Sequence, residues 1–106
     1  MFAREVTMDL KPNSQARFTQ TIEKEIIPLL RVQSGFKDEL TFVGPGGRKA
    51  VAISLWDQKE NAEAYNRATY SQVLKTLEGV VEGTPQVETY EVSNSTWHKI
   101  AVQLPV

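Results

Sequence analysis

The sequence predicts an α+β domain. Its expected core is a ferredoxin-like β-α-β-β-α-β antiparallel sheet with an extra C-terminal strand. Three observations lead there. Apolar residues alternate with period two in several short runs, at Phe2–Leu10, Phe36–Val43, Ala50–Trp56 and Val87–Val92. Two segments between those runs repeat their apolar residues at helical spacing instead. The order of the first six elements is that of the split βαβ plan, whose two helices lie on one face of the sheet.

The first strand places Phe2, Arg4, Val6, Met8 and Leu10 on one face and Ala3, Glu5, Thr7 and Asp9 on the other. Lys11-Pro12-Asn13-Ser14 stops it, and Asn13 or Ser14 can accept bonds from the first free N–H groups of a helix. That helix runs roughly from Ser14 to Gln33, with Phe18, Ile22, Ile26, Leu29 and Leu30 as its apolar stripe. Pro28 removes a backbone donor and should bend it. Gly35 suits the left-handed position that ends it.

In the second strand Phe36, Leu40 and Phe42 share one face and Lys37, Glu39 and Thr41 the other. Gly44-Pro45-Gly46-Gly47 closes a hairpin. The loop opens no helix, so it reads as a turn and not as a phosphate cradle. The third strand, Ala50–Trp56, has no charge on either face. Val51, Ile53 and Leu55 point one way, and Ala50, Ala52, Ser54 and Trp56 the other. Such a strand is central and covered on both sides.

Asp57 starts the second helix, and Asp57-x-x-Glu60 has the form of a capping box. The helix breaks near Thr69-Tyr70, with Ser71 capping a second piece that buries Val73, Leu74 and Leu77. Gly79 and Gly83-Thr84-Pro85 end it. The fourth strand is Val87–Val92. Trp97–Leu104, with Ile100, Val102 and Leu104 alternating, reads as a fifth. Two helices cannot cover both sheet faces. The third strand therefore asks for a second copy packed sheet to sheet.

The chain has 106 residues, 41% apolar and 24% charged, with net charge -1. That is one globular domain, residues 1–106, without the basic footprint of a nucleic-acid binder or the polybasic surface of a membrane binder. With no cysteine, there is no disulfide, thiolate nucleophile or Cys-based metal site. The single histidine, His98, and scattered carboxylates give no ligand spacing, so no metal is expected. His98 reads as a surface or interface residue. MFAREVTMDL has no apolar h-region, and no apolar run nears the ~18 residues of a membrane span. A cytoplasmic location is expected, and the Asn94-Ser95-Thr96 sequon then carries no meaning.

Several features resemble the antibiotic biosynthesis monooxygenase (ABM)-like proteins. They are Ser34-Gly35-Phe36 after the first helix, the Gly-rich hairpin, and a strand ending in Trp56 followed by Asp57-Gln58-Lys59-Glu60 and a helix with Tyr65. Pro85-x-Val87-x-x-Tyr90-x-Val92 also fits. The resemblance covers nearly the whole chain and rests on order and spacing. It implies a dimeric α+β barrel, a homodimer whose sheets face each other, with a pocket in each protomer between helices and sheet. Some such proteins oxidise polyphenolic or quinone-like compounds with O₂ and neither metal nor flavin; others degrade haem. The haem-degrading pattern is not met. Tyr65 stands where those members carry Trp, Lys75 where they carry the iron-ligating His, and none of Glu5, Val6 and Thr7 supplies their Asn. A charged Lys amine does not replace a neutral imidazole at iron. No cofactor is therefore expected.

The candidate pocket residues are Trp56, Tyr65, Asn66 and Tyr70. Trp56 either plugs the end of the central strand or forms a pocket wall with its N–H toward a ligand oxygen. Ala50, Ala52 and Ser54 leave a hollow beside it. Tyr65 either belongs to the core or turns its hydroxyl into the pocket; Asn66 and Tyr70 flank the helix break. No catalytic residue is assigned. Three functions stay open: a cofactor-independent monooxygenase of a small aromatic or phenolic/quinone-like metabolite, a non-catalytic binder of a small apolar ligand, and a ligand-free dimeric scaffold. The tail from Trp97 is expected to cross to the second protomer.

Overall fold

The computed structural model describes residues 1–101. Four strands, β1 (Phe2–Leu10), β2 (Phe36–Val43), β3 (Lys49–Trp56) and β4 (Val81–Glu91), form one sheet in the order β2-β3-β1-β4, each antiparallel to its neighbours. All helices lie on one face. The first helical stretch comprises α1 (Gln15–Thr21), a π-helical turn at Ile22–Ile26, and α2 (Ile27–Arg31). The second comprises α3 (Lys59–Ala68) and α4 (Tyr70–Leu77). Among the described residues no helix is long and apolar enough to cross a membrane.

Register sorts the side chains into transverse rows. On the helix-facing side, Phe36, Trp56 and Phe2 stand opposite one another, then Glu39, Ser54, Arg4 and Thr89, then Thr41, Ala52, Val6 and Val87. The core lies between these rows and the helices. Trp56, Phe18, Leu10 and Val80 are fully buried there. On the other face Val51, Ile53 and Leu55 stand beside Leu40 and Phe42, with Leu40 36% and Phe42 53% exposed. Both apolar sides of β3 are thus as the alternation predicts.

Strand β2 departs from its predicted facing. An extra residue, Lys37, bulges between the pairs Phe36–Trp56 and Asp38–Leu55. A bulge reverses the parity of everything beyond it. Phe36 therefore packs on the core, while Leu40 and Phe42 face away from the helices and Glu39, Thr41 and Val43 turn toward them.

Pro28 bends its helix by an unexpected route. Its ring lacks an N–H and would crowd the carbonyl of Lys24 in a regular α-helix. The chain widens into the π turn just ahead of it, so that Ile22, Ile26 and Leu30 all stay buried. The cap of α3 is one residue later than expected. Gln58 is the N-cap, and Asn61 accepts from the Gln58 N–H at 3.2 Å. The Asp57 N–H instead donates to the Gly35 carbonyl at 2.7 Å. Gly35 has φ +77°, and a Cβ there would collide with the Asn61 side chain. The helix break is at Thr69, whose φ of -129° leaves the helical region; Ser71 lies inside α4 and caps nothing.

Strand β4 begins earlier than predicted. Val81 and Glu82 pair with Leu10 and Asp9, then the strand bulges through Gly83–Pro85 and resumes at Gln86 opposite Thr7. Gly83 takes φ +69° there, and a bulge is a place where Pro85 forfeits no ladder bond. The fifth strand does not form among the described residues. Trp97 and His98 both donate their N–H to Ser95 Oγ, at 3.0 and 3.2 Å. Those donors serve a local turn rather than a ladder. Trp97 is exposed, and His98 Nε2 meets Asp38 of β2 within the same chain. Residues 102–104 of the expected strand lie outside the described residues.

Candidate functional site

Between the helices and the sheet lies a cavity of about 40 Å³. Its floor is β1 and β3, contributing Arg4, Val6, Ala52 and Ser54. The π turn and α2 supply Ile22, Ile26 and Leu30 as one wall. Tyr65, Tyr70, Val73 and Leu77 from α3 and α4 form the other, and Glu39 and Pro85 stand at opposite edges. The small side chains of Ala52 and Ser54 leave the space, as their sequence suggests. As it stands the volume has room for about one or two waters, so a ring-sized occupant needs the walls to part. Both walls contain an irregular helical turn, at Ile22–Ile26 and at Thr69, the places where a helix yields most readily.

Trp56 does not reach this cavity. It is fully buried behind Tyr65, ring centroids 5.0 Å apart, with Phe36 edge-on at 5.6 Å. Its indole N–H donates to Ser54 Oγ at 2.9 Å, so no donor is left for a ligand. Its pocket-wall reading is replaced by a supporting one: Trp56 fixes Tyr65 and occupies the acceptor of Ser54, whose own hydroxyl proton stays free for the cavity. Tyr65 and Tyr70 do line the cavity, 6.2 Å apart. Asn66 sits on the exposed side of α3 and reaches in through Arg4, accepting from its Nη2 at 2.8 Å. Lys75 is exposed on α4 and does not line the cavity.

Sequence reading passed over Arg4 and Glu39. Arg4 is only 3% exposed. Its guanidinium lies 3.9 Å from the Tyr70 ring centre and 5.3 Å from that of Tyr65, a cation–π arrangement. Among the described residues no carboxylate lies within salt-bridge distance of it. The signal was present: Arg4 is the one charge on the otherwise apolar face of β1. Glu39 gave no such signal, because only the Lys37 bulge turns it inward. Burial pushes the Glu39 carboxyl above its ordinary range, while the Thr41 hydroxyl, donating at 2.6 Å, pulls it partly back.

The two phenols are held neutral. Burial pushes Tyr65 up to about 12, against the opposing pull of Arg4. Burial also raises Tyr70, opposed by the Arg4 charge and by an Arg4 N–H turned toward the phenol oxygen. That approach falls short of hydrogen-bond geometry: among the described residues the buried Tyr70 hydroxyl is the one buried side-chain polar atom without a partner, and its proton has no acceptor. No three His, Asp or Glu side chains cluster as metal ligands among the described residues. The site is an apolar chamber with a few convergent polar groups, the usual form of a small-molecule site.

No protein-family model matches the sequence, and neither does any curated protein. Solved structures match well. NE2512, a protein of unknown function from Nitrosomonas europaea, superposes with TM-score 0.72 over 99% of this chain and 94% of that one, at 17% identity. The monooxygenase from the gene ActVA-Orf6 of Streptomyces coelicolor, solved with Nanaomycin D, gives 0.76 over 89% and 88%, at 15% identity. SnoaB, a cofactor-independent oxygenase from Streptomyces nogalater, gives 0.74 over 90% and 95%, at 10% identity. At such identities the likeness is one of fold: the chain has the ferredoxin-like α+β fold of the antibiotic biosynthesis monooxygenase-like proteins.

Proposed function

We propose that the chain is a cofactor-independent monooxygenase of a small phenolic or quinone-like metabolite, working as a cytoplasmic homodimer. The observation that carries this reading is the cavity itself, an apolar chamber bounded by two neutral phenols and a buried guanidinium. Its fold is shared with two oxygenases, one of them solved in complex with Nanaomycin D. Under this reading the substrate supplies the electrons. A phenol with a free para position takes one oxygen atom of O₂ onto that carbon and becomes a quinone. The other atom leaves as water with the two hydrogens the phenol loses. The protein contributes orientation and hydrogen bonds, through Tyr65, Tyr70 and Ser54. Asn66 acts by holding Arg4.

The homodimer reading is supported by the open sheet face. Leu40, Phe42, Val51, Ile53 and Leu55 form a continuous apolar area there, of the kind that marks an interaction site. A non-catalytic binder of a small apolar ligand is the second reading, favoured by the predominance of aliphatic side chains in the walls. An oxygen electrode separates the two. Oxygen uptake matching quinone formation one for one, with no hydrogen peroxide released, from a panel of naphthols and phenols with a free para position is the expected result. Saturable binding of those compounds without oxygen uptake would sink the enzyme and leave the binder.

A further inference from the structure

Arg4 presents an imbalance. Burying a guanidinium costs several kcal/mol unless a counter-charge accompanies it. Of its five N–H donors, only one has a hydrogen-bond acceptor among the described residues, the Asn66 Oδ1 at 2.8 Å. Among the described residues no carboxylate lies within salt-bridge distance of it. Tyr65 and Tyr70 present neutral rings. Glu39 borders the same cavity but stands two strands away in the same transverse row, with one carboxyl oxygen accepting from the Thr41 hydroxyl. Glu63, in the outer recess beside Arg4, faces Lys59 at 3.8 Å. The second imbalance is the unpartnered hydroxyl of Tyr70, whose ring lies under the same guanidinium. An uncompensated cation and an uncompensated donor thus border one cavity.

We propose that the occupant of this cavity binds as an oxyanion, with one anionic oxygen paired to the Arg4 guanidinium and hydrogen-bonded by the Tyr70 hydroxyl. The inference rests on the reading of the cavity as a ligand site and adds the ionisation state of what it holds. Two kinds of molecule carry such an oxygen, an aromatic carboxylate and a phenolate or enolate. A single oxygen suits the site because the guanidinium and the Tyr70 hydroxyl border one cavity, so that one atom can accept from both; Asn66 engages one of the five N–H donors, and the carboxylate fork is the alternative the experiment decides. The phenolate or enolate is therefore the favoured form. It is also the electron-rich form, in which a phenol most readily gives an electron to O₂. Arg4 then selects for the reactive ionisation state by binding it.

The experiment uses para-nitrophenol, whose phenolate is coloured, with benzoate as the carboxylate arm. Titrating para-nitrophenol by absorbance at saturating protein should show it ionising at least one pH unit lower when bound than when free. Arg4→Met should weaken phenolate binding about a hundredfold and abolish the displacement. Tyr70→Phe should weaken it about tenfold, the loss of one charge-assisted hydrogen bond. Arg4→Lys should keep the sign of the displacement. Arg4→Met should also raise the unfolding temperature of the ligand-free protein, since it removes an unpaired buried charge. Benzoate binding more tightly than para-nitrophenolate would replace the phenolate by a carboxylate ligand and overturn the favoured form. Preference for neutral para-nitrophenol, or no binding of either probe at millimolar concentration, would overturn the inference as a whole. A lowered unfolding temperature in Arg4→Met with phenolate binding unchanged would make Arg4 structural. Oxyanion binding with no oxygen uptake from phenols that have a free para position would sink only the oxygenase; uptake with a neutral bound phenol would sink only this inference.

Discussion

Each face of the sheet departs from the usual expectation in one place. The face covered by helices carries, within an apolar core, a row of polar and charged side chains, Glu39, Ser54 and Arg4. The face without helices carries aliphatic and aromatic ones on β2 and β3. An ordinary two-layer domain would put its charges on the open side. The covered face is therefore not optimised for stability, since an apolar residue in place of Arg4 would avoid the desolvation cost. The open face is not optimised for solvent. The proposed function accounts for both departures, with a ligand on one side and a second sheet on the other.

The largest expected effect lies on the covered face. Trp56→Ala should cost about 3–5 kcal/mol in urea denaturation, the range for removing a fully buried large aromatic. Phe42→Ala, on the open face, should cost well under half of that in the isolated protomer. Equal losses would mean that Phe42 is as buried in solution as Trp56 and would move the contrast into the assembly.

Next in size is the association itself. Ile53→Glu puts a charge at the centre of the open face and should dissociate the homodimer at micromolar concentration in sedimentation, while the protomer stays folded. A dimer that survives this substitution does not use this face. A smaller effect concerns pH. The Glu39 carboxyl is raised in the folded state above its ordinary value of 4.5. Its contribution to stability is therefore full below the unfolded value and is lost as pH rises through the folded one. Glu39→Gln should flatten that part of the stability curve, and an unchanged curve would place the carboxyl in water. The smallest effect concerns the tail. Ending the chain at Asn94 removes the contact of His98 with Asp38, made within one chain, and should lower the unfolding temperature slightly. If it instead raises the dimer dissociation constant by tenfold or more, the tail also serves the partner.

What could be read in the sequence follows from this contrast. The alternation of β1 and β3 was legible because each has a single parity from end to end. The second strand was not, because one extra residue at Lys37 reversed its facing, and no composition rule marks a bulge at a lysine. The tail from Trp97 alternates as a strand does, yet Ser95 captures two of its N–H groups first. Tyr65 was a candidate from its helical spacing after Trp56 and Tyr70 from its place at the helix break, and both border the cavity. For Trp56 the sequence left strand-end plug and pocket wall open, since it could not show that Ser54 takes the indole N–H. Arg4 was visible as a lone charge in an apolar row. The unpartnered hydroxyl of Tyr70 depends on where the helix breaks, a detail fixed only by packing.

The π turn at Ile22–Ile26 has a consequence for how this chain can change length. Each helical residue advances the side-chain direction by about 100°. A π turn stores one residue beyond the α-helical count, like a stitch of slack in a thread. Deleting a single residue there, together with Pro28→Ala to remove the ring that crowds a regular helix, would let the helix close up into a regular α form with Leu30 still facing the sheet. The same deletion in α1, or anywhere in α3, would swing every later side chain about a quarter-turn off the core. A regular-helix version of this fold is thus one deletion and one substitution away at this place. No point substitution elsewhere in the helix reaches it without turning a buried residue outward.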